Sequence, residues 1–193
     1  MLFDQLKKYK IVLASKSPRR QFLLKDLGLE FEVQTKDVDE SFSETLQREE
    51  IPLYLCQKKA IAFKNELKDN TLLITADTIV WVDQQVLNKP ENFEDAQRML
   101  RLLSGKMHEV ITGVCVRTKN KSIDFFVKTN VFMKKLSETE INFYITHYKP
   151  YDKAGAYGAQ EWIGYIGIEK IEGSYFNVMG LPLKELYEEL EKF

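Results

Sequence analysis

The stretch "TLLITADTIVWV" (residues 71–82) limits the possible folds of this chain more than any other. It is a nearly continuous run of apolar and β-branched residues, which is typical of a strand buried on both faces. One carboxylate, Asp77, interrupts the run, and a buried carboxylate is costly unless it is paired, hydrogen-bonded or bound to a metal. Either the strand breaks there, with Asp77 capping a turn with Thr78, or Asp77 is held at a cleft. The apolar residues that resume at once favour the cleft.

The rest of the chain alternates between strand-like and helix-like segments, which predicts an α/β fold of three layers or two lobes. We expect strands at 10–15, 31–38, 71–82, 109–118, 122–136 and 165–171, with a polar turn at 83–85 and the pair of long strands meeting around "KNK". Helices are predicted at 18–27, 51–67, 93–103, 138–147 and from Pro182 onward, with a capping box at Ser137 and Glu140. The Gly- and Tyr-rich residues 151–167 read as a functional loop.

Asp77 has a chemical interpretation as well as a structural one. A carboxylate at a cleft is suited to ligate Mg²⁺ and to orient or deprotonate an attacking water. Mg²⁺ characteristically binds through one or two carboxylates plus substrate phosphates. The acidic "VDE" offers a second carboxylate, Glu40 in preference to Asp39, although both residues taken alone are better explained as a solvated acidic loop.

The segment "SKSPRR" (residues 15–20) places two cations at the start of a helix. Ser17 is a suitable N-cap and Pro18 suits the first helical position. Arg19 and Arg20 would lie at the positive end of the helix dipole, where cations are unfavourable. Solvated arginines are one explanation, and a phosphate chain bound by backbone N–H groups, Ser15 and the two arginines is the other. No G-x-x-x-x-G-K-[ST] motif occurs, which disfavours P-loop and kinase mechanisms.

The overall charge favours a small ligand. The 28 basic and 29 acidic residues give a net charge of −1, whereas a long nucleic acid usually requires a strongly basic face. Cys56 and Cys115 form no C-x-x-C motif, and His108 and His147 match no triad or metal spacing. We expect a soluble cytoplasmic protein, because the sequence shows neither a signal peptide nor an apolar run long enough to span a membrane.

Eight motifs together give the chain a family resemblance. They occur in order along nearly the whole sequence: "LASKSPRRQFLL", "DVDES", "KKA" at 58–60, "ITADTIV", "VLNKP", "MLRLLSGKMHEVITGV", "DKAGAYGAQ" and "GSYFNVMGLPL". In this combination the chain resembles the Maf family, nucleoside triphosphate pyrophosphatases once linked to septum formation. The resemblance implies one Maf-like domain over residues 1–193. Its expected fold is a two-lobed mixed-sheet α/β fold like that of the inosine triphosphate pyrophosphatases, with the active-site cleft between the lobes.

The resemblance also implies an activity and assigns residues to it. The expected reaction cleaves a nucleoside triphosphate between its α and β phosphates, giving a monophosphate and pyrophosphate, with Mg²⁺ or Mn²⁺ as cofactor. Asp77 corresponds to the acidic residue that accepts a proton from water, and Glu40 and Asp77 to the metal ligands. The positions that surround the phosphates correspond to Ser15, Arg19, Arg20, Lys59 and Lys89. Lys59 and Lys89 would carry no signal alone, because most lysines are solvent-exposed.

Three positions are expected to set the base preference: Arg19, Thr78 and Gln160. With Gln160, "DKAGAYGAQ" resembles the subgroup that acts on dTTP and UTP rather than the subgroup that acts on 7-methyl-GTP. A glutamine amide can accept from N3–H and donate to O4 of thymine or uracil, although a flipped amide would suit cytosine. The alternative function is a nucleotide-binding regulator of cell division whose hydrolysis is incidental. Relatives suggest a homodimer.

Overall fold

The computed structural model describes residues 2–193 and contains eight α-helices within that range. In chain order these are α1 (Leu2–Leu6), α2 (Pro18–Asp26), α3 (Glu50–Ile61), α4 (Phe93–Leu103), α5 (Glu138–Tyr148), α6 (Trp162–Gly167), α7 (Tyr175–Met179) and α8 (Leu183–Leu190). Short 3₁₀ turns lie at Lys64–Glu66 and Ala154–Ala156. The longest helix has 12 residues, and among the described residues no helix is long and apolar enough to cross a membrane.

Seven strands of residues 2–193 form one mixed sheet. They are β1 (Lys10–Leu13), β2 (Glu32–Val33), β3 (Thr71–Val82), β4 (Gln85–Leu87), β5 (Met107–Arg117), β6 (Ser122–Met133) and β7 (Ile168–Glu172). Their order is β2-β1-β3-β5-β6-β7, with β4 paired to β3. β1 runs parallel to both β2 and β3, whereas β3–β4 and β6–β7 are antiparallel. Helices therefore alternate with strands in a mixed α/β fold, as the sequence predicts.

The chain divides into two compact units. The first comprises residues 1–77, 112–127 and 180–193, and the second comprises residues 78–111 and 128–179. The division within β3 falls directly after Asp77. The first part of β3, up to Asp77, therefore belongs to the first unit, and the part from Thr78 onward belongs to the second.

In the first unit, α3 packs against the strands through small side chains. One apolar cluster combines Val12 and Leu73 of the strands with Cys56 and Ala60 of α3, and Cys115 belongs to it as well. Gly113 of β5 allows a closer approach still, because a Cβ atom added there would lie 2.5 Å from the carbonyl carbon of Pro52. Backbone therefore meets backbone at this contact, and α3 is fixed at a short distance from the sheet.

The second unit contains the larger apolar cluster, to which α4, α5 and α6 contribute. Helix α5 begins with the predicted capping box, in which the Ser137 hydroxyl accepts from the Glu140 N–H and the Glu140 carboxylate accepts from the Ser137 N–H. The polar turn after β3 is also confirmed. Asp83 and Gln84 have φ values of 47° and 58°, as a two-residue hairpin requires.

Several predicted elements were wrong in extent. The strand predicted at 31–38 is reduced to Glu32–Val33, and the helix predicted at 51–67 ends at Ile61 before a separate 3₁₀ turn. The segment 151–167 is not wholly a loop, because its last six residues form α6, and the following strand begins at Ile168 rather than at residue 165. In residues 151–167 the frequent glycines weaken the periodic pattern, so the sequence does not mark where α6 begins.

Candidate active site

Asp77 lies within an unbroken strand. β3 continues from Thr71 to Val82, so the alternative in which the strand stops at Asp77 to form a turn is wrong. Most residues of β3 are buried, and the Asp77 side chain keeps only 13% of its surface exposed. A carboxylate this sheltered requires a partner of opposite charge.

That partner is Lys59 of α3. Its ammonium lies 2.5 Å from Oδ1 of Asp77 and 2.9 Å from Oε1 of Glu40, and its own side chain is only 15% exposed. One cation therefore bridges the two carboxylates that the sequence selects as metal ligands. Their convergence on a single ammonium brings them close enough to share one positive charge.

The loop that carries Glu40 is tied to the same helix a second time. Lys58, the neighbour of Lys59, donates to Oδ2 of Asp39 at 3.2 Å and to the Ser41 carbonyl at 3.0 Å. The Ser41 N–H donates to Oδ1 of Asp39 at 2.9 Å, and the Ser41 hydroxyl donates to Oδ2. These hydrogen bonds from Ser41, with that from Lys58, lower the pKa of Asp39 to about 2. Asp39 thus orders the loop, which leaves Glu40 as the carboxylate beside Asp77.

Arg20 connects the "SKSPRR" segment to the strand that carries Asp77. Its Nη1 donates to the carbonyl of Ala76 at 2.8 Å and lies 3.5 Å from the Ser15 hydroxyl, while Nε donates to the carbonyl of Gly180 at 2.8 Å. The predicted N-cap is only partly confirmed. Ser17 occupies the N-cap position of α2 in extended conformation, but its side chain makes no capping hydrogen bond.

The charges around Arg20 act on its guanidinium in opposite directions. Burial lowers the pKa of Arg20, and the neighbouring charge of Arg19 lowers it further, whereas the carboxylates of Asp77 and Glu40 raise it. An arginine stays charged in proteins even when it is sheltered from water. Positive charge from Arg20 and Lys59 therefore surrounds Asp77, as a site for an anion with its counterion requires.

The structure thus joins five of the sequence-selected residues by contact within the first unit: Ser15, Arg20, Glu40, Lys59 and Asp77. Arg19 is half-buried and precedes Arg20 in α2. The remaining three, Thr78, Lys89 and Gln160, belong to the second unit. There Lys89 is exposed after β4, and Thr78 and Gln160 are half-buried.

Gln160 has one unusual property. Its side-chain carbonyl oxygen Oε1 is buried and accepts no hydrogen bond from any residue that the structure describes. A buried acceptor without a donor is costly, so its presence calls for an explanation. A ligand that supplies the missing N–H donor would provide one.

The carboxylates can be tested for their fit to a divalent metal ion. Among the described residues, no group of three or more His, Cys, Asp or Glu side chains forms a complete metal cage. Asp77 and Glu40 nevertheless fit Mg²⁺ or Mn²⁺, because both carboxylates contact the same ammonium, that of Lys59. Such ions need only one or two carboxylates and complete their coordination with water and substrate phosphates.

Sequence reasoning missed a buried polar cluster in the second unit. It consists of Tyr144, Lys153 and Glu161 and lies around the segment that carries Gln160. The two charged members occur inside or beside "DKAGAYGAQ", but nothing in the sequence marks them as buried. Tyr144 lies on α5, and its distance along the chain conceals the contact.

Comparisons with known proteins support the resemblance. The model of the family described as "Maf-like protein" matches residues 10–193. A protein of Parabacteroides distasonis is 55% identical over 193 residues, covering all of both chains, and bears the name dTTP/UTP pyrophosphatase. Proteins of the same name from Flavobacterium johnsoniae and Porphyromonas gingivalis are 52% and 50% identical, with at least 98% of each chain covered.

Among solved structures, a HAM1 protein from Coxiella burnetii matches with a TM-score of 0.53. The match covers 96% of this chain and all of that one at 14% identity, so it concerns the fold alone. It confirms the predicted fold class, a mixed α/β fold shared with that protein. Together with the full-length relatives and the family model, these findings establish that the chain belongs to the Maf family.

Proposed function

We propose that the protein is a nucleoside triphosphate pyrophosphatase that hydrolyses dTTP and UTP to the monophosphate and pyrophosphate. One observation carries the proposal: Lys59 holds Asp77 and Glu40 together directly beside Arg20. Basic groups for a phosphate chain and carboxylates for its cation thus lie at one place. Full-length relatives at 50–55% identity carry the corresponding name.

In the proposed reaction, water attacks one of the two phosphorus atoms that the α–β bridging oxygen joins. Asp77 orients the water and accepts its proton, a new P–O bond forms, and the bridging P–O bond breaks. Arg19, Arg20, Lys59 and Lys89 offset the charge that develops on the phosphate oxygens, with the Ser15 hydroxyl as a further donor. Electrostatic stabilisation of this kind supplies most of the catalysis in phosphoryl transfer.

Asp77 and Glu40 are the residues that would hold a divalent cation. When bound, Mg²⁺ or Mn²⁺ supplies positive charge to the phosphate oxygens. In the free protein Lys59 already balances both carboxylates. The ammonium therefore keeps two acidic groups close together without the repulsion that would otherwise separate them.

The base preference rests on Gln160, with Arg19 and Thr78 as the other candidate positions. Thymine and uracil share an N3–H donor beside the O4 acceptor, and the amide of glutamine complements this pair. The buried Oε1 of Gln160 accepts no hydrogen bond from the described residues, so it is suited to accept from N3–H of the base. The relatives' common name supports this choice of bases.

The family resemblance supports further parts of the proposal. We infer that residues 1–193 act as one Maf-like domain, that the protein is a homodimer and that it functions in the cytoplasm. Cys56 and Cys115 are both buried free thiols, which is typical of proteins in reducing compartments. Light scattering coupled to size-exclusion chromatography tests the dimer, since one chain has a mass of 22.6 kDa.

The proposal is tested by pyrophosphate release from dTTP, UTP, CTP, 7-methyl-GTP and ITP, each with Mg²⁺ and with Mn²⁺. We expect dTTP and UTP to be the preferred substrates of the wild type. Asp77→Asn should lower kcat by about 10²- to 10⁴-fold, the usual contribution of a general base. Nucleotide binding by Asp77→Asn, measured by calorimetry, should persist.

Asp69→Asn is the matched control, because Asp69 also pairs with a lysine, Lys119, but is largely exposed to solvent. It should behave as the wild type. Unchanged turnover in Asp77→Asn would overturn the role of Asp77, and a preference for 7-methyl-GTP would overturn the choice of bases. Nucleotide binding without turnover in the wild type would favour a regulator of cell division.

A further inference from the structure

The segment of residues 153–161 is closed on itself by a buried ion pair. Lys153, only 7% exposed, places its ammonium 3.0 Å from Oε1 of Glu161 and 2.6 Å from Oδ1 of Asp152. A buried charge is expensive unless it is paired and hydrogen-bonded, so separating Lys153 from these carboxylates would be costly. Because Lys153 is the first residue of the segment and Glu161 the last, their pairing fixes the two ends to each other.

Tyr144 of α5 holds the same segment from one side. Its hydroxyl donates to Oε2 of Glu161 and accepts from the backbone N–H of Gly158 at 3.0 Å. The tyrosine is fully buried, and this burial, with the hydrogen bond to Glu161, raises the pKa of Tyr144. The phenol therefore stays protonated and uses both its donor and its acceptor capacity on this segment.

Gln160 lies between the points that this cluster fixes. Gly158 is two residues before it and Glu161 is the residue after it. Helix α6 also packs directly against the preceding residue, since a Cβ atom added to Gly164 would lie 2.1 Å from the carbonyl oxygen of Ala159. The backbone of Gln160 is thus held on both sides, which fixes the position from which its side chain extends.

We propose that Tyr144, Lys153 and Glu161 are positioning residues that hold the backbone at Gln160 where its amide can reach the base edge that distinguishes thymine and uracil from cytosine; this rests on the proposed function. Thymine offers a donor at N3 and an acceptor at O4, whereas cytosine offers an acceptor at N3 and a donor at N4. An amide that accepts from N3–H and donates to O4 matches only the first pattern. It can form both hydrogen bonds only while the backbone that carries it stays in place, so a displaced segment should lose selectivity for thymine and uracil.

The measurement is kcat/KM for dTTP divided by kcat/KM for dCTP. This ratio is independent of the folded fraction, because unfolded protein lowers both values equally. A merely structural role of the cluster would therefore leave the ratio unchanged. Tyr144→Phe removes one hydroxyl, and Lys153→Met removes the ammonium from the other side of Glu161, so the two variants disrupt the cluster independently.

We expect each variant to lower the ratio by about tenfold, the value of one neutral hydrogen bond. The loss should appear mainly as a higher KM for dTTP, with kcat for dCTP nearly unchanged. Tyr9→Phe is the matched control, because the Tyr9 hydroxyl also makes a hydrogen bond, to the Phe193 carbonyl, but belongs to the first unit. It should keep the wild-type ratio.

The outcomes separate the two proposals. A selective wild type with an unchanged ratio in Tyr144→Phe and Lys153→Met would overturn the positioning role and leave the proposed function intact. If one variant fails to fold, the ratio in the other decides. A wild type that does not distinguish dTTP from dCTP would overturn the proposed base preference and, with it, the positioning role.

Discussion

At the scale of single residues, Lys59 explains how two carboxylates coexist in a sheltered place. Its ammonium contacts Asp77 and Glu40 at 2.5 Å and 2.9 Å, so neither carboxylate is left unpaired before a ligand arrives. Arg20 acts differently, because it donates to two backbone carbonyls and thereby joins α2 to Ala76 of β3 and to Gly180. Lysine supplies a point charge, which here pairs with two carboxylates, and arginine supplies a rigid fork of donors, which here binds two carbonyls.

His108 links stability to pH. It is 1% exposed, its Nε2 lies 2.7 Å from the Tyr157 hydroxyl, and burial lowers the pKa of His108 to about 4. Below a pH of about 6.5 the unfolded chain binds a proton at this histidine that the folded protein does not bind until about pH 4. The free energy of unfolding should therefore fall by about 3 kcal/mol as the pH decreases through this window.

Urea unfolding at several pH values between 7.5 and 4 measures this effect. The difference in free energy of unfolding between the wild type and His108→Asn should shrink by about 3 kcal/mol on acidification. His147→Asn is the control variant, because it removes the other histidine of the chain, which is exposed to solvent. A His108→Asn variant with the pH profile of the wild type would show that His108 is not the group responsible.

At the scale of secondary structure, the contact between α3 and β5 positions the site. Gly113 lets the backbone of β5 meet the backbone of α3 near Pro52, and α3 carries Lys58 and Lys59 toward the loop of Asp39 and Glu40. The helix therefore presents two adjacent lysines to two adjacent acidic residues. Any change that moves α3 away from the sheet is expected to disturb both ion pairs together.

Gly113→Ala tests this dependence. The added Cβ would lie 2.5 Å from the backbone of Pro52, so α3 must shift, and overpacking of this kind costs about 1–3 kcal/mol. We expect a lower melting temperature and, at a temperature where the variant is folded, a lower kcat. Gly167→Ala is the control, since its Cβ would meet only side-chain atoms, of which the nearest is Cδ2 of Leu136 at 3.3 Å. A Gly113→Ala variant with wild-type stability and kcat would contradict the account.

The elements with strong local signals were predictable from the sequence. The apolar run of β3 and the capping box of Ser137 and Glu140 both appear in the structure as expected. The helix α6 within the Gly-rich residues 151–167 was not predictable, because its sequence has no helical periodicity and the helix packs closely against Ala159. Helix α7 was missed for a related reason: at five residues it is too short to show a periodic pattern.

At the scale of the whole molecule, the site residues come from separate stretches of the sequence. Asp77 could be identified from the sequence because an unpaired carboxylate in a buried apolar strand is costly. Arg19 and Arg20 could be identified because cations are unfavourable at the start of a helix. Lys59 was selected through the family resemblance, since a lysine alone carries little local signal, and Lys89 gained weight from its place in "LNKP" after the hairpin that follows Asp77. The pairing of Lys59 with Asp77 is a tertiary contact across 18 residues, which no spacing rule predicts.

The central claim is that the protein cleaves a nucleoside triphosphate between the α and β phosphates with the help of Asp77. The most direct measurement is ³¹P NMR of dTTP incubated with the protein and Mg²⁺. We predict signals of dTMP and pyrophosphate only, appearing with the wild type and suppressed in Asp77→Asn. Release of dTDP and orthophosphate, or equal product formation by Asp77→Asn, would contradict it.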